Sequence, residues 1–110
     1  MSDKVNILGT DYAIRVEDYD ADRKLESNVA YVELYAKEIV LKRMDEDCHT
    51  VKRFEHFKRD VLLHEIVHAF FHESGMSEWC EDEALVDWVA LMLPKLVKAA
   101  QDAGALSEVT

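Results

Sequence analysis

The hydrophobic pattern of this chain changes its period once, and that change limits the folds open to it. Up to residue 45 apolar side chains alternate, as in strands with one buried face; from Thr50 they recur at spacings of three to five, as on helices. Strands are expected at Lys4–Leu8 and Asp11–Glu17 around the turn Gly9-Thr10, with Tyr12, Ile14 and Val16 alternating with Ala13, Arg15 and Glu17. Two further β-prone runs, Ala30–Leu34 and Glu38–Lys42, flank Tyr35-Ala36-Lys37, a spacing that suits a hairpin. The stretch 18–27 is polar apart from Tyr19 and Leu25, and reads as a loop or one irregular turn of helix. The first half is expected to form a small antiparallel sheet of three or four strands.

The acidic cluster Asp45-Glu46-Asp47 should end the last strand. A helix then carries Phe54, Phe57, Val61, Leu62 or Ile66, and Phe70, and stops at Ser74-Gly75, because glycine readily takes the left-handed conformation of a helix C-terminus. A second helix fits Glu81–Ala103, with Leu85, Trp88 or Val89, Met92, Leu96 and Ala99 or Ala100 on one face. Pro94 lies inside it, where a kink or break is expected. With 110 residues, one proline, three glycines and no internal repeat, the chain reads as a single α+β domain, 1–45 mainly strands and 50–104 mainly two helices.

Apolar residues make up 49% and charged residues 33%, enough to bury a core and keep a solvated surface. The net charge of −10 repels phosphate backbones and anionic lipid heads, so neither nucleic acid nor a membrane surface is expected as a partner. The longest apolar run, Val89–Leu93, falls well short of the roughly 18 to 20 residues that span a bilayer. No export signal opens the chain, so a cytoplasmic location is expected. Cys48 and Cys80 read as reduced thiols acting as small buried hydrophobes.

Within the first helix stands His64-Glu65-Ile66-Val67-His68. Four residues turn a helix through about 400°, so both imidazoles leave one face within about 40° of each other, suited to grip one Zn²⁺. Glu65 is then placed to take a proton from a metal-bound water, whose pKa zinc lowers to about 7. A zinc hydrolase needs a third protein ligand. Glu83, 15 residues after His68, can be returned to the first helix by the second. Asp87, one turn further, can accept the outer N–H of a liganding histidine and fix its tautomer. Asp82 stands as an alternative third ligand, and Glu78 and Glu81 reach in less naturally. His72 is set aside, because one straight helix cannot wrap three successive turns around a tetrahedral ion. The metzincin spacing fails too, since Phe71 and Ser74 occupy the positions that would need Gly and His.

From Asp60 to Pro94 there are eight carboxylates and no Lys or Arg. A divalent cation among them would relieve their repulsion and favour folding. Glu73, Glu78 and Glu81 read as a solvated acidic face, and any surplus lining a cleft would favour basic substrates or partners. Trp79 and Trp88 read as core or turn packing.

The pair of motifs, His64-Glu65-x-x-His68 and Glu83-x-x-x-Asp87, resembles the gluzincin pattern of zinc metallopeptidases. Asp87-Trp88-Val89-Ala90 is similar to a short segment of the ImmA/IrrE-like group. Nearly the whole chain looks like the small phage- and prophage-encoded proteins of that clan: an I-L-G-T strand, a Tyr-rich hairpin, a helix L-x-H-E-I-x-H-A-F and a helix E-x-x-V-D-W-x-A. The resemblance implies a minimal gluzincin fold with Zn²⁺ held between two helices by His64, His68 and Glu83. It also implies a peptidase acting in the host cytoplasm on a protein or peptide substrate, which could lie along the sheet edge at Glu38–Lys42 or its hairpin mate. The chain departs from larger members in having no helix-turn-helix and no evident oxyanion-binding His or Tyr motif; Tyr31, Tyr35, His56 and His72 are candidates by residue type only. The rival expectation is a catalytically silent, zinc-stabilised phage protein that binds a host or phage protein.

Overall fold

The computed structural model describes residues 3–18, 22–26, 29–43 and 51–106, with residues 26 and 51–56 described by their backbone alone. The expectations for Asp45-Glu46-Asp47, Cys48, Thr50 and the side chains of Phe54 and His56 lie outside the described residues. Four strands, β1 (Lys4–Ile7), β2 (Thr10–Glu17), β3 (Ala30–Glu33) and β4 (Glu38–Lys42), form one sheet. They are followed by α1 (Val51–Glu73), α2 (Ser77–Cys80) and α3 (Glu83–Asp102). The fold is α+β, as the change of period implies.

Leu8 and Gly9, with φ of 51° and 93°, form the two-residue turn that joins β1 to β2. The strand order is β1-β2-β4-β3, and two of the expectations change with it. The sheet is mixed rather than wholly antiparallel: β4 runs parallel to β2, with Ile14 opposite Ile39 and Val16 opposite Leu41. The connection after β2, which includes a short 3-10 helix at Arg23–Glu26, carries the chain past one strand position. The hairpin from β3 then folds β4 back into the space between. Consequently β4 is an inner strand and cannot receive a peptide; its hairpin mate β3 is an edge strand among the described residues.

Strand alternation sends Ile39 and Leu41 to one face, where they join Ile7, Tyr12 and Ala69 of α1 in a buried cluster. Val40 alternates between them and is fully buried on the opposite face, as is Leu25 of the 3-10 helix. Ala69, with no exposed surface, gives α1 a small side chain at its contact with the sheet. Gly75, at φ 86°, ends α1 in the expected way: its amide bonds to His72 O at 3.2 Å and that of Met76 to Phe71 O at 2.8 Å.

Glu73, the last residue of α1, does not belong to a solvated acidic face. Lys37 Nζ lies 2.7 Å and the Tyr12 hydroxyl 2.5 Å from its Oε2, and Thr10 donates to Oε1 at 3.0 Å. Lys37, then Tyr12, holds the Glu73 carboxyl down at about 2, and these contacts tie the end of the motif helix to β2 and the β3–β4 turn. α2, absent from the sequence reading, puts one helical turn into the connection that follows.

α3 runs unbroken through Pro94, which is exposed, so the expected break does not occur. A missing amide removes only one hydrogen bond from this 20-residue helix. The inward face contains buried Val86, with Leu85, Val89, Met92 and Ala100 half-buried. Trp88 and Leu96 are 61% and 65% exposed, so neither supplies the packing expected of it. A single neighbouring helix covers a narrower arc than the apolar stripe of α3 occupies.

Candidate metal centre

His64 and His68 lie one turn apart on α1, and Glu83 opens α3. The connection through α2 returns the chain so that the carboxylate meets both rings. His64 Nε2 and His68 Nε2 are 3.2 Å apart. Glu83 places Oε2 3.2 Å from the first and Oε1 3.0 Å from the second. Donors held at about 2.0–2.1 Å around one tetrahedral ion stand roughly 3.3–3.4 Å from each other, so this triangle is close to the size a small divalent cation requires.

The outer ring nitrogens decide what those inner atoms carry. His68 Nδ1 donates to the Cys80 carbonyl oxygen at 2.6 Å, and His64 Nδ1 donates to Asp87 Oδ1 at 2.7 Å. Both partners accept only, so in each neutral ring the proton sits on Nδ1 and the Nε2 lone pair faces inward. In that tautomer three lone-pair atoms converge, an arrangement repulsive among themselves and attractive to a cation. Among the described residues His64, His68 and Glu83 form the group that could hold a metal ion. Asp87 lies against the outer nitrogen of His64, the contact expected of it from the sequence. The Cys80 carbonyl performs the same task for His68 and was invisible to the sequence reading, because a backbone oxygen has no residue-type signature.

Glu65 occupies the inner face of α1 and is only 6% exposed. Its Oε2 is buried without a hydrogen-bond partner among the described residues, and burial pushes its carboxyl above the ordinary value, against the opposing pull of His68 and His64. A buried, unpartnered oxygen beside a cation-shaped triangle fits a group that exchanges a proton with a water at the centre.

A cleft of about 990 Å³ opens between the β3 edge and α1, lined on one side by Val29 to Val32 and on the other by Phe57, Val61 and the centre itself. Among the described residues five carboxylates line it, Asp60, Glu65, Glu81, Glu83 and Asp87, and no Lys or Arg does. Asp82 does not serve as a third ligand: it caps α3, its carboxylate accepting from Leu85 N at 3.1 Å. Glu78 and Glu81 are both exposed. Cys80 is buried and unpaired, as expected, and burial raises its thiol pKa.

Of the candidates for oxyanion binding, Tyr31 lines the cleft, yet its hydroxyl donates to Asp22, and burial followed by Asp22 pushes its pKa up to about 12. Tyr35 is 92% exposed, its ring edge-on to His72 at 6.2 Å, and neither lines the cleft. Trp79 packs edge-on against Phe71 with ring centres 5.8 Å apart, as a turn-packing residue should. No helix of the described residues is long and apolar enough to cross a membrane. No protein-family model, curated protein or solved structure matches this chain.

Proposed function

We propose that this chain is a zinc-dependent metallopeptidase of the gluzincin kind. The observation that carries the reading is the convergence of His64 Nε2, His68 Nε2 and the Glu83 carboxylate at 3.0–3.2 Å, with Glu65 buried and unpartnered beside them. Two nitrogens and a carboxylate suit zinc, and a bound Zn²⁺ would polarise a substrate carbonyl and lower the pKa of a water to about 7.

The chain's own residues do the rest. Asp87 and the Cys80 carbonyl hold both rings in the ligating tautomer. The edge of β3, unpaired among the described residues, offers backbone N–H and C=O groups to an extended peptide, which adds as a further strand and brings its scissile carbonyl beside the centre. Glu65 takes one proton from the water as its oxygen adds to the carbonyl carbon, then delivers that proton to the amine nitrogen, and the C–N bond breaks as the amine departs. Its low exposure keeps bulk water from competing for that proton.

The test is a quenched-fluorescence peptide pool with zinc-loaded protein. Glu65→Gln should retain zinc and lose turnover by about 10²- to 10⁴-fold; unchanged turnover refutes the role given to Glu65. One observation favours a second reading, a metal-stabilised binding protein without catalysis: Tyr31, whose phenol lines the cleft, already gives its proton to Asp22. Absence of turnover by the wild type, with tight binding of a phage or host protein, would select that reading.

A further inference from the structure

The cleft holds more negative charge than the centre uses. A divalent ion would offset two of the five lining carboxylates; Glu83 and Asp87 are engaged by the histidines and Glu65 by its buried position beside them. Asp60 and Glu81 have no such task. Both are exposed, and neither makes an ion pair or hydrogen bond among the described residues. They also sit on different sides of the centre. Asp60 lies four residues before His64, which is about 6 Å along the helix axis. Glu81 follows Cys80, whose carbonyl oxygen holds His68. The two carboxylates therefore flank the metal centre in the cleft that the β3 residues Ala30 to Val32 also line. Glu65, 94% buried by its 6% exposure and unpartnered at Oε2, opens on the same cleft and marks it as a place where a ligand completes the polar contacts.

We infer that Asp60 and Glu81 are specificity-determining residues, selecting peptides that carry Lys or Arg on either side of the bond presented to the centre. The inference rests on the metallopeptidase reading for its geometry and adds the substrate class to it. Alternate side chains of a strand docked on β3 point toward the helices. A cation at one such position meets Asp60 and a cation at the other meets Glu81, and among the described residues no Lys or Arg lines the cleft to oppose either. Selection of this kind is electrostatic, so it should weaken with salt.

The experiment uses the full chain carrying Glu65→Gln, loaded with zinc, and fluorescein-labelled octapeptides identical except for Lys, Gln or Glu at the two flanking positions. Fluorescence anisotropy at low salt should show the Lys peptide binding about tenfold tighter than the Glu peptide, the gap closing at high salt. Asp60→Asn and Glu81→Gln should each weaken the Lys peptide by about threefold, each through a different flanking position, while leaving the Gln peptide unchanged. Equal affinity for Lys and Glu peptides, a preference that survives both substitutions, or no binding of the Lys peptide overturns the inference. Wild-type turnover on the same peptides separates it from the reading beneath it. Selective binding without turnover sinks the peptidase and leaves Asp60 and Glu81 in their roles, whereas turnover without selectivity does the opposite.

Discussion

At the scale of single residues, the centre depends on which nitrogen of each histidine carries its proton. Asp87 sets this for His64 across 2.7 Å, so Asp87→Asn, which can turn a donor toward the ring, should lower metal affinity by about 10- to 100-fold; competition with a chromophoric chelator measures it. Glu65→Gln should leave that affinity within about threefold of wild type, since Glu65 is not among the three converging donors. The residues that could be read in advance are those whose chemistry is bound to a spacing: His64 and His68 at one helical turn, then Glu83 and Asp87 at another. The Cys80 carbonyl could not be read, because any residue supplies a carbonyl. Nor could Glu73, whose partners Thr10, Tyr12 and Lys37 are brought to it by tertiary packing across 63, 61 and 36 positions of the chain.

At the scale of elements, the placing of α1 on the sheet decides whether its histidines face the cleft. Ala69 fills the contact with no exposed surface, so Ala69→Leu should overpack it and destabilise the fold by about 1–3 kcal/mol, measurable as a lower urea midpoint. Glu73 fixes the end of the same helix. Its folded pKa of about 2 lies below the ordinary 4.5, so its contribution is complete above about pH 4.5 and is lost as the pH falls through about 2. The gap in melting temperature between wild type and Glu73→Gln should therefore be full at pH 6 and close across that acidic window; a gap constant down to pH 2 contradicts the assignment. Strand positions were legible from period two and the end of α1 from Gly75. The strand order was not, because a parallel β2–β4 pair and an antiparallel one present the same alternation to a buried face. The rotation of α3 was hidden for a related reason: its apolar stripe is wider than the arc that α1 covers, so the pattern admits both Trp88 and Val89 as inward residues and packing chooses Val89.

For the whole molecule, with a net charge of −10 and five carboxylates lining the cleft among the described residues, a cation held at the centre would become part of the folding balance. At a free-metal concentration about a hundredfold above Kd, binding to the folded state alone adds about 2.7 kcal/mol. A domain of this size should then lose on the order of 10 °C in melting temperature when a strong chelator is added, and recover it with zinc. The measurement that bears most directly on the centre is the metal content of the purified chain beside that of Glu83→Ala, after zinc loading and removal of excess by gel filtration. Three converging donors predict about one zinc per chain in the wild type and a several-fold lower content in the variant. Less than about a tenth of an equivalent in the wild type, or equal zinc in both proteins, would contradict the geometry on which the account stands.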